Sequence, residues 1–166
     1  QIPFGRYYVK EISTDEHYIL NGEKYLVNFE YMGQDIQNVD IDCGQFVNEL
    51  KRGKVEGIKV NESDEPLENA LFGLFAVDTA EFTSENAYMT AVSDENGYFE
   101  FDEIPYGEYI VREIEAPTGY ILSGESYPVT VCEDGETITI RTVNKPITVE
   151  VSKVDVYGEE LIGADM

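Results

Sequence analysis

The stretch Ile104–Tyr120, IPYGEYIVREIEAPTGY, decides the fold. From Tyr109 onward its residues alternate with the period of a β-strand. Tyr109, Val111 and Glu113 fall on one face, and Ile110, Arg112 and Ile114 on the other. A Pro105-Tyr106-Gly107 turn signal precedes the strand, and Ala116-Pro117-Thr118-Gly119 closes it. Glu113 shares its parity with Tyr109 and Val111. If that face is the core, the carboxyl group is buried and needs a partner or a proton.

The same pattern stands at Ile2–Tyr18, IPFGRYYVKEISTDEHY, with Glu11 in the place of Glu113. At this offset of 102 positions Pro3, Gly5, Tyr7, Val9, Tyr18, Gly22, Tyr25 and Val27 also recur as the same residue, without a gap. Further along, Val55-Glu56-Gly57-Ile58-Lys59-Val60 returns as Val149-Glu150-Val151-Ser152-Lys153-Val154, and Val47-Asn48 returns as Val143-Asn144. A period of about one hundred residues is that of a domain rather than a solenoid unit. Residues 1–51 therefore read as the C-terminal half of one repeat. Residues 52–147 read as a complete repeat, and 148–166 as the first strand and turn of a following one. The boundaries Asn48–Lys54 and Asn144–Thr148 are short and not Pro/Ser-rich, so neighbouring repeats are expected to join end to end with little slack. The chain reads as a piece of a longer polypeptide, with export and anchoring signals outside it.

Composition narrows the class. Of 166 residues 42% are hydrophobic, with 12 Tyr and 8 Phe, enough for a packed core. A net charge of -23 repels phosphate backbones and anionic membrane surfaces, which argues against nucleic acid and membrane partners. No apolar run has the length of a membrane span. Cys43 and Cys132 are too few for a disulfide framework and fall in different repeats, so free thiols are expected. No metal-ligand cluster or cofactor motif is present; Asn61–Glu65 and Asp94–Gly97 do not complete a calcium loop.

Within the complete repeat the pattern is of strands alone: Val55–Val60, Ala70–Asp78, Tyr88–Val92, Tyr98–Phe101, the strand carrying Glu113, Tyr127–Cys132 and Thr137–Val143. Seven or so short strands with turns about every ten residues predict an all-β fold, an antiparallel Greek-key sandwich. In the last strand Asn144 has the parity of Ile138 and Ile140. In the third repeat Lys153 shares a face with Val149 and Val151, and Lys59 is its equivalent, although Gly57 weakens the pattern there. A lysine, a glutamate and an asparagine are thus aimed at one interior.

Burial in an apolar site disfavours both the ammonium and the carboxylate, leaving a neutral amine beside a neutral acid. Such an amine is a nucleophile and the asparagine amide an electrophile. With the acid polarising the amide, a Lys59–Asn144 cross-link would form with loss of ammonia. The residues alone leave a second reading open, a buried Lys–Glu ion pair capped by asparagine.

The order Ile58-Lys59-Val60, Leu67–Phe72, Asp94–Gly97, Ile104–Tyr109, Glu113, Ala116–Tyr120 and Val143-Asn144 resembles the collagen-adhesin B-type (Cna B-type, SpaA-like, prealbumin-like) repeats of Gram-positive surface proteins and pilins. That resemblance implies a prealbumin-like, reverse Ig-like sandwich in repeats joined end to end. It also implies an intramolecular Lys–Asn isopeptide bond between Lys59 and Asn144 promoted by Glu113. Glu11 is the equivalent acid of the preceding repeat, and Asn48 and Lys153 are unpaired equivalents of the cross-linked residues. Asn69 and Asn61 depart from the usual glycine and aspartate. Ser13–His17 replaces the Ala-Pro-x-Gly loop, where His17 is expected to be an exposed loop residue.

The function that follows is a stalk or spacer repeat at the cell wall of a Gram-positive bacterium, with the bond close to where the chain enters and leaves the domain. The partners are then neighbouring repeats of the same polypeptide. The alternative is an adhesive module recognising a host protein or glycan, although no exposed aromatic cluster singles out a site. An enzyme is not expected, since no nucleophile–base pair or metal motif accompanies the carboxylates and self-cross-linking is a single turnover. Residues 148–166 are also expected to complete a neighbour's N-terminal half-repeat by head-to-tail strand donation.

Overall fold

A computed structural model describes residues 2–35, 39–149 and 157. Lys153 and the strand expected around it lie outside the described residues. Among the described residues all regular elements are strands. The N-terminal segment contributes β1 (Gly5–Lys10) and β2 (Lys24–Phe29), an antiparallel pair. The chain from Arg52 to Asn144 contributes seven strands: β3 (Arg52–Asn61), β4 (Leu71–Ala76), β5 (Met89–Val92), β6 (Tyr98–Pro105), β7 (Gly107–Glu115), β8 (Ser126–Val131) and β9 (Glu136–Asn144). They form two sheets, β6-β3-β9 and β5-β4-β7-β8, with the core between them. The expected all-β sandwich is present.

Among the described residues all strand pairs run antiparallel except β3 with β9, which pair in parallel from Gly53↔Glu136 to Asn61↔Asn144. The first and last strands of the repeat are therefore neighbours. Their parallel sense places the start of β3 and the end of β9 at opposite ends of the sandwich.

The core follows the alternation. Val55, Phe72, Leu74, Phe99, Phe101, Ile104, Val111, Val129 and Val131 are buried between the sheets. Phe72 and Phe99 stack nearly parallel, ring centres 3.9 Å apart, and this explains Gly57. A Cβ there would lie 2.1 Å from the Phe99 ring, so only glycine lets the ring cross β3 at an inward position. Phe75, on the opposite face of β4, is also buried, edge-on against Phe82 from the long loop between β4 and β5.

The duplication in sequence is a duplication in space. Gly5↔Phe29 through Lys10↔Lys24 repeats, 102 positions on, as Gly107↔Val131 through Arg112↔Ser126. The Tyr18↔Leu50 bridge is matched by Tyr120↔Pro146. Lys51, just before β3, is held by hydrogen bonds on both sides. Lys51 donates its N–H to His17 O (2.9 Å) and accepts from Tyr106 N–H (2.9 Å), while its Nζ reaches Cys132 O (3.1 Å). The exposed His17 packs edge-on against the Tyr106 ring, 4.4 Å between centres. Cys43 and Cys132 are both free thiols.

Candidate functional site

β3, β7 and β9 bring Lys59, Glu113 and Asn144 together in the core. Their relative exposures are 0%, 3% and 1%, so this is a sealed polar cluster rather than a cleft. The backbone fixes Lys59 from both sides. Its N–H donates to Gly97 O (2.7 Å), and its carbonyl accepts from Leu67 N–H (2.9 Å). Gly97, at φ +73°, closes the Asp94–Gly97 turn so near that a Cβ would stand 2.2 Å from the Lys59 carbonyl oxygen. The side chain then runs inward past Phe72, with Nζ 5.5 Å from the ring centre.

At its end Lys59 Nζ donates to Asn144 Oδ1 and lies 3.0 Å from Glu113 Oε1. Asn144 Nδ2 donates to the same Glu113 Oε1 at 2.9 Å. One carboxylate oxygen therefore touches both the amine and the amide nitrogen. The other, Oε2, is held by the N–H of Ser123 (2.8 Å), which fixes the plane of the carboxyl group. Burial pushes the Lys59 ammonium below its ordinary range, against the opposing hydrogen bond and charge of Glu113 and the charge of Glu125. An amine that sheds its proton easily, an amide carbonyl in contact with it, and an oxygen bridging amine and amide nitrogen are the parts of an acyl transfer.

The N-terminal segment repeats half of this arrangement. Asn48 Nδ2 donates to Glu11 Oε1 (2.8 Å), and Asn21 N–H donates to Glu11 Oε2 (2.8 Å), matching Asn144, Glu113 and Ser123. Asn48 Nδ2 also contacts Thr14 Oγ1, and its Oδ1 has no hydrogen-bond partner among the described residues. Glu11 and Asn48 thus meet, while Lys153 lies outside the described residues.

Sequence reasoning missed Ser123, whose contribution is a backbone N–H with no signature in the side chain. It also missed Phe72 as the ring beside the amine. Thr142 was missed as well, although its shared parity with Ile140 and Asn144 could have shown it, and it is buried. No group of three or more His, Cys, Asp or Glu among the described residues is placed to hold a metal.

The structure defines a class before a family: a two-sheet sandwich whose first and last strands are bridged by a buried Lys–Glu–Asn cluster. Residues 53–146, more than half of the chain, match the family model described as SpaA, prealbumin-like fold domain, and the chain belongs to that family. Among curated proteins it is 23% identical over 129 residues to the collagen adhesin of Staphylococcus aureus, covering 76% of this chain and 11% of that one. It is 31% identical over 80 residues to the trypsin-resistant surface T6 protein of Streptococcus pyogenes serotype M6, covering 48% and 13%. The Bacillus anthracis TIE protein shares the fold, with TM-score 0.66 and 23% identity over 97% of this chain and 32% of that one. The Bacillus cereus major pilin subunit BcpA is similar at TM-score 0.51 and 26% identity, covering 59% and 31%. The chain thus spans about a tenth of the length of these curated relatives and about a third of these solved chains. The SpaA-like resemblance read from the sequence is borne out. The chain is a structural domain of the Gram-positive pilin and surface-adhesin kind.

Proposed function

We propose that residues 52–147 form a stalk repeat of an extracellular, cell-wall surface protein, made rigid by an autocatalytic isopeptide bond between Lys59 and Asn144. The single observation behind this reading is the shared contact of Glu113 Oε1 with Lys59 Nζ and Asn144 Nδ2. Glu113 takes a proton from Lys59, and the freed Nζ attacks Cγ of Asn144. The Cγ–Nδ2 bond then breaks as Glu113 returns that proton to Nδ2 and ammonia leaves, and Glu113 takes the second proton from Nζ, leaving a neutral amide beside a protonated carboxyl group. Residues 1–51, with Glu11 and Asn48, are the back half of a like repeat, and neighbouring repeats are the immediate partners.

The parallel β3–β9 pair corrects one expectation about the bond. Lys59 and Asn144 both lie at the exit end of the sandwich, and the chain enters at the opposite end through Arg52. Tension on the chain ends therefore shears β3 along β9 until the bond takes it up. The bond closes a loop of 85 residues, stabilising by roughly 4–5 kcal/mol on the chain-entropy estimate. Proteolysis of the denatured chain with mass analysis tests the assignment. A branched peptide joining the Lys59 and Asn144 segments is expected, and recovery of both as separate linear peptides overturns it.

A further inference from the structure

We propose that Thr142 is a positioning residue for this cross-link: its hydroxyl is the donor that takes over Asn144 Oδ1 when Lys59 Nζ leaves that oxygen to attack Cγ. The inference rests on the cross-linking reading and deepens it. Thr142 is the register partner of Lys59 on the parallel strand, and it precedes Asn144 by one step on the same inward face of β9. It is 1% exposed, and its Oγ1 is the one buried side-chain polar atom of the complete repeat without a hydrogen-bond partner among the described residues. A hydroxyl buried unpartnered is costly and calls for an explanation.

The reaction supplies one. In the ground state Asn144 Oδ1 accepts from Lys59 Nζ. Attack on Cγ takes Nζ out of the amide plane, just as negative charge develops on Oδ1. Glu113 Oε1, which takes the Lys59 proton, faces the two nitrogens rather than Oδ1, contrary to the expected polarisation of the amide by the acid, and the Ser123 N–H is engaged with Oε2. The Thr142 O–H on the neighbouring inward position remains as the donor assigned to Oδ1. It donates a hydrogen bond only. The bonds made and broken are still Nζ–Cγ and Cγ–Nδ2, and the proton still passes through Glu113. In the N-terminal copy the residue equivalent to Thr142 is Phe46; Thr14 Oγ1 there accepts from Asn48 Nδ2, and Asn48 Oδ1 has no partner among the described residues.

The test follows bond formation in freshly synthesised chain, quenching samples into denaturant and reading the ammonia loss by mass, for the unaltered chain, Thr142→Val and Thr142→Ser. Thr142→Val keeps the shape and removes the hydroxyl, and it is expected to slow bond formation roughly tenfold or more while leaving the folded circular dichroism spectrum in place. Thr142→Ser, which restores a hydroxyl, is expected to react close to the unaltered rate. Equal rates for Thr142→Val and the unaltered chain overturn the assignment of Thr142 and leave the cross-link intact. So does a Thr142→Ser variant as slow as Thr142→Val. An unaltered chain that loses no ammonia overturns both.

Discussion

Lys59 and Asn144 stand 85 residues apart in sequence, yet the side chain of one donates to that of the other across the parallel first and last strands of a single sandwich. A bond between them divides the domain mechanically. Residues 52–59 and the segment after Asn144 stay in line with an applied force, and everything between is bypassed.

Single-molecule pulling reads this division directly. At about 3.5 Å per residue, the 85-residue separation bypassed by the bond is worth roughly 300 Å of extension. The unaltered repeat should withhold that length at every force below covalent rupture, and Lys59→Ala should release it in one step.

Glu113→Ala should leave the chain uncross-linked and much less stable. The variant strands an ammonium in the core and removes the proton carrier. Losing one partner of a buried pair costs about 3–5 kcal/mol, and loss of the bond adds to this. Thermal unfolding should show a lower midpoint, and denaturing mass analysis should show the ammonia retained. Full cross-linking in Glu113→Ala would contradict the role given to the carboxylate.

The inward parity of Lys59, Glu113 and Asn144 was legible because a strand has a period of two, and one buried face makes any polar residue at the wrong parity conspicuous. The duplication carried Lys59, where Gly57 had blurred the alternation. The reason for that blur was not legible. The Phe99 ring occupies the space over Gly57, and its position depends on β6 pairing with β3, a contact distant in sequence. The parallel sense of β3 and β9 was not legible either, since alternation says which face a residue takes and nothing about which strand lies beside it. The burial of Phe75 on the outer face of β4 required Phe82, which comes from a polar loop with no periodicity of its own.

Gly57→Ala should show how tightly β3 is held against Phe99. The added methyl group meets the ring at 2.1 Å, so Phe99 must leave its stack with Phe72 or β3 must move outward. Overpacking of this kind costs about 1–3 kcal/mol. Denaturant midpoints of Gly57→Ala in the Lys59→Ala background, where no bond masks the effect, should fall by that amount.

The rate of bond formation should fall as pH rises through the Lys59 value, which burial sets below the ordinary lysine value of 10.5. The proton that Glu113 returns to Nδ2 is the one it takes from Lys59, and a pair that has lost it to solvent has none to return. Time courses of ammonia loss across pH measure this, and a rate still climbing through pH 10.5 would contradict it.

The most direct test of the cross-link is the intact mass of the denatured, reduced chain compared with that of Lys59→Ala. An N-terminal glutamine such as Gln1 can itself lose ammonia on cyclising, so the comparison is made between chains sharing that terminus. The unaltered chain is expected to fall about 17 Da, one ammonia, further below its formula mass than Lys59→Ala falls below its own. The same deficit in both chains, or none in either, would contradict the bond.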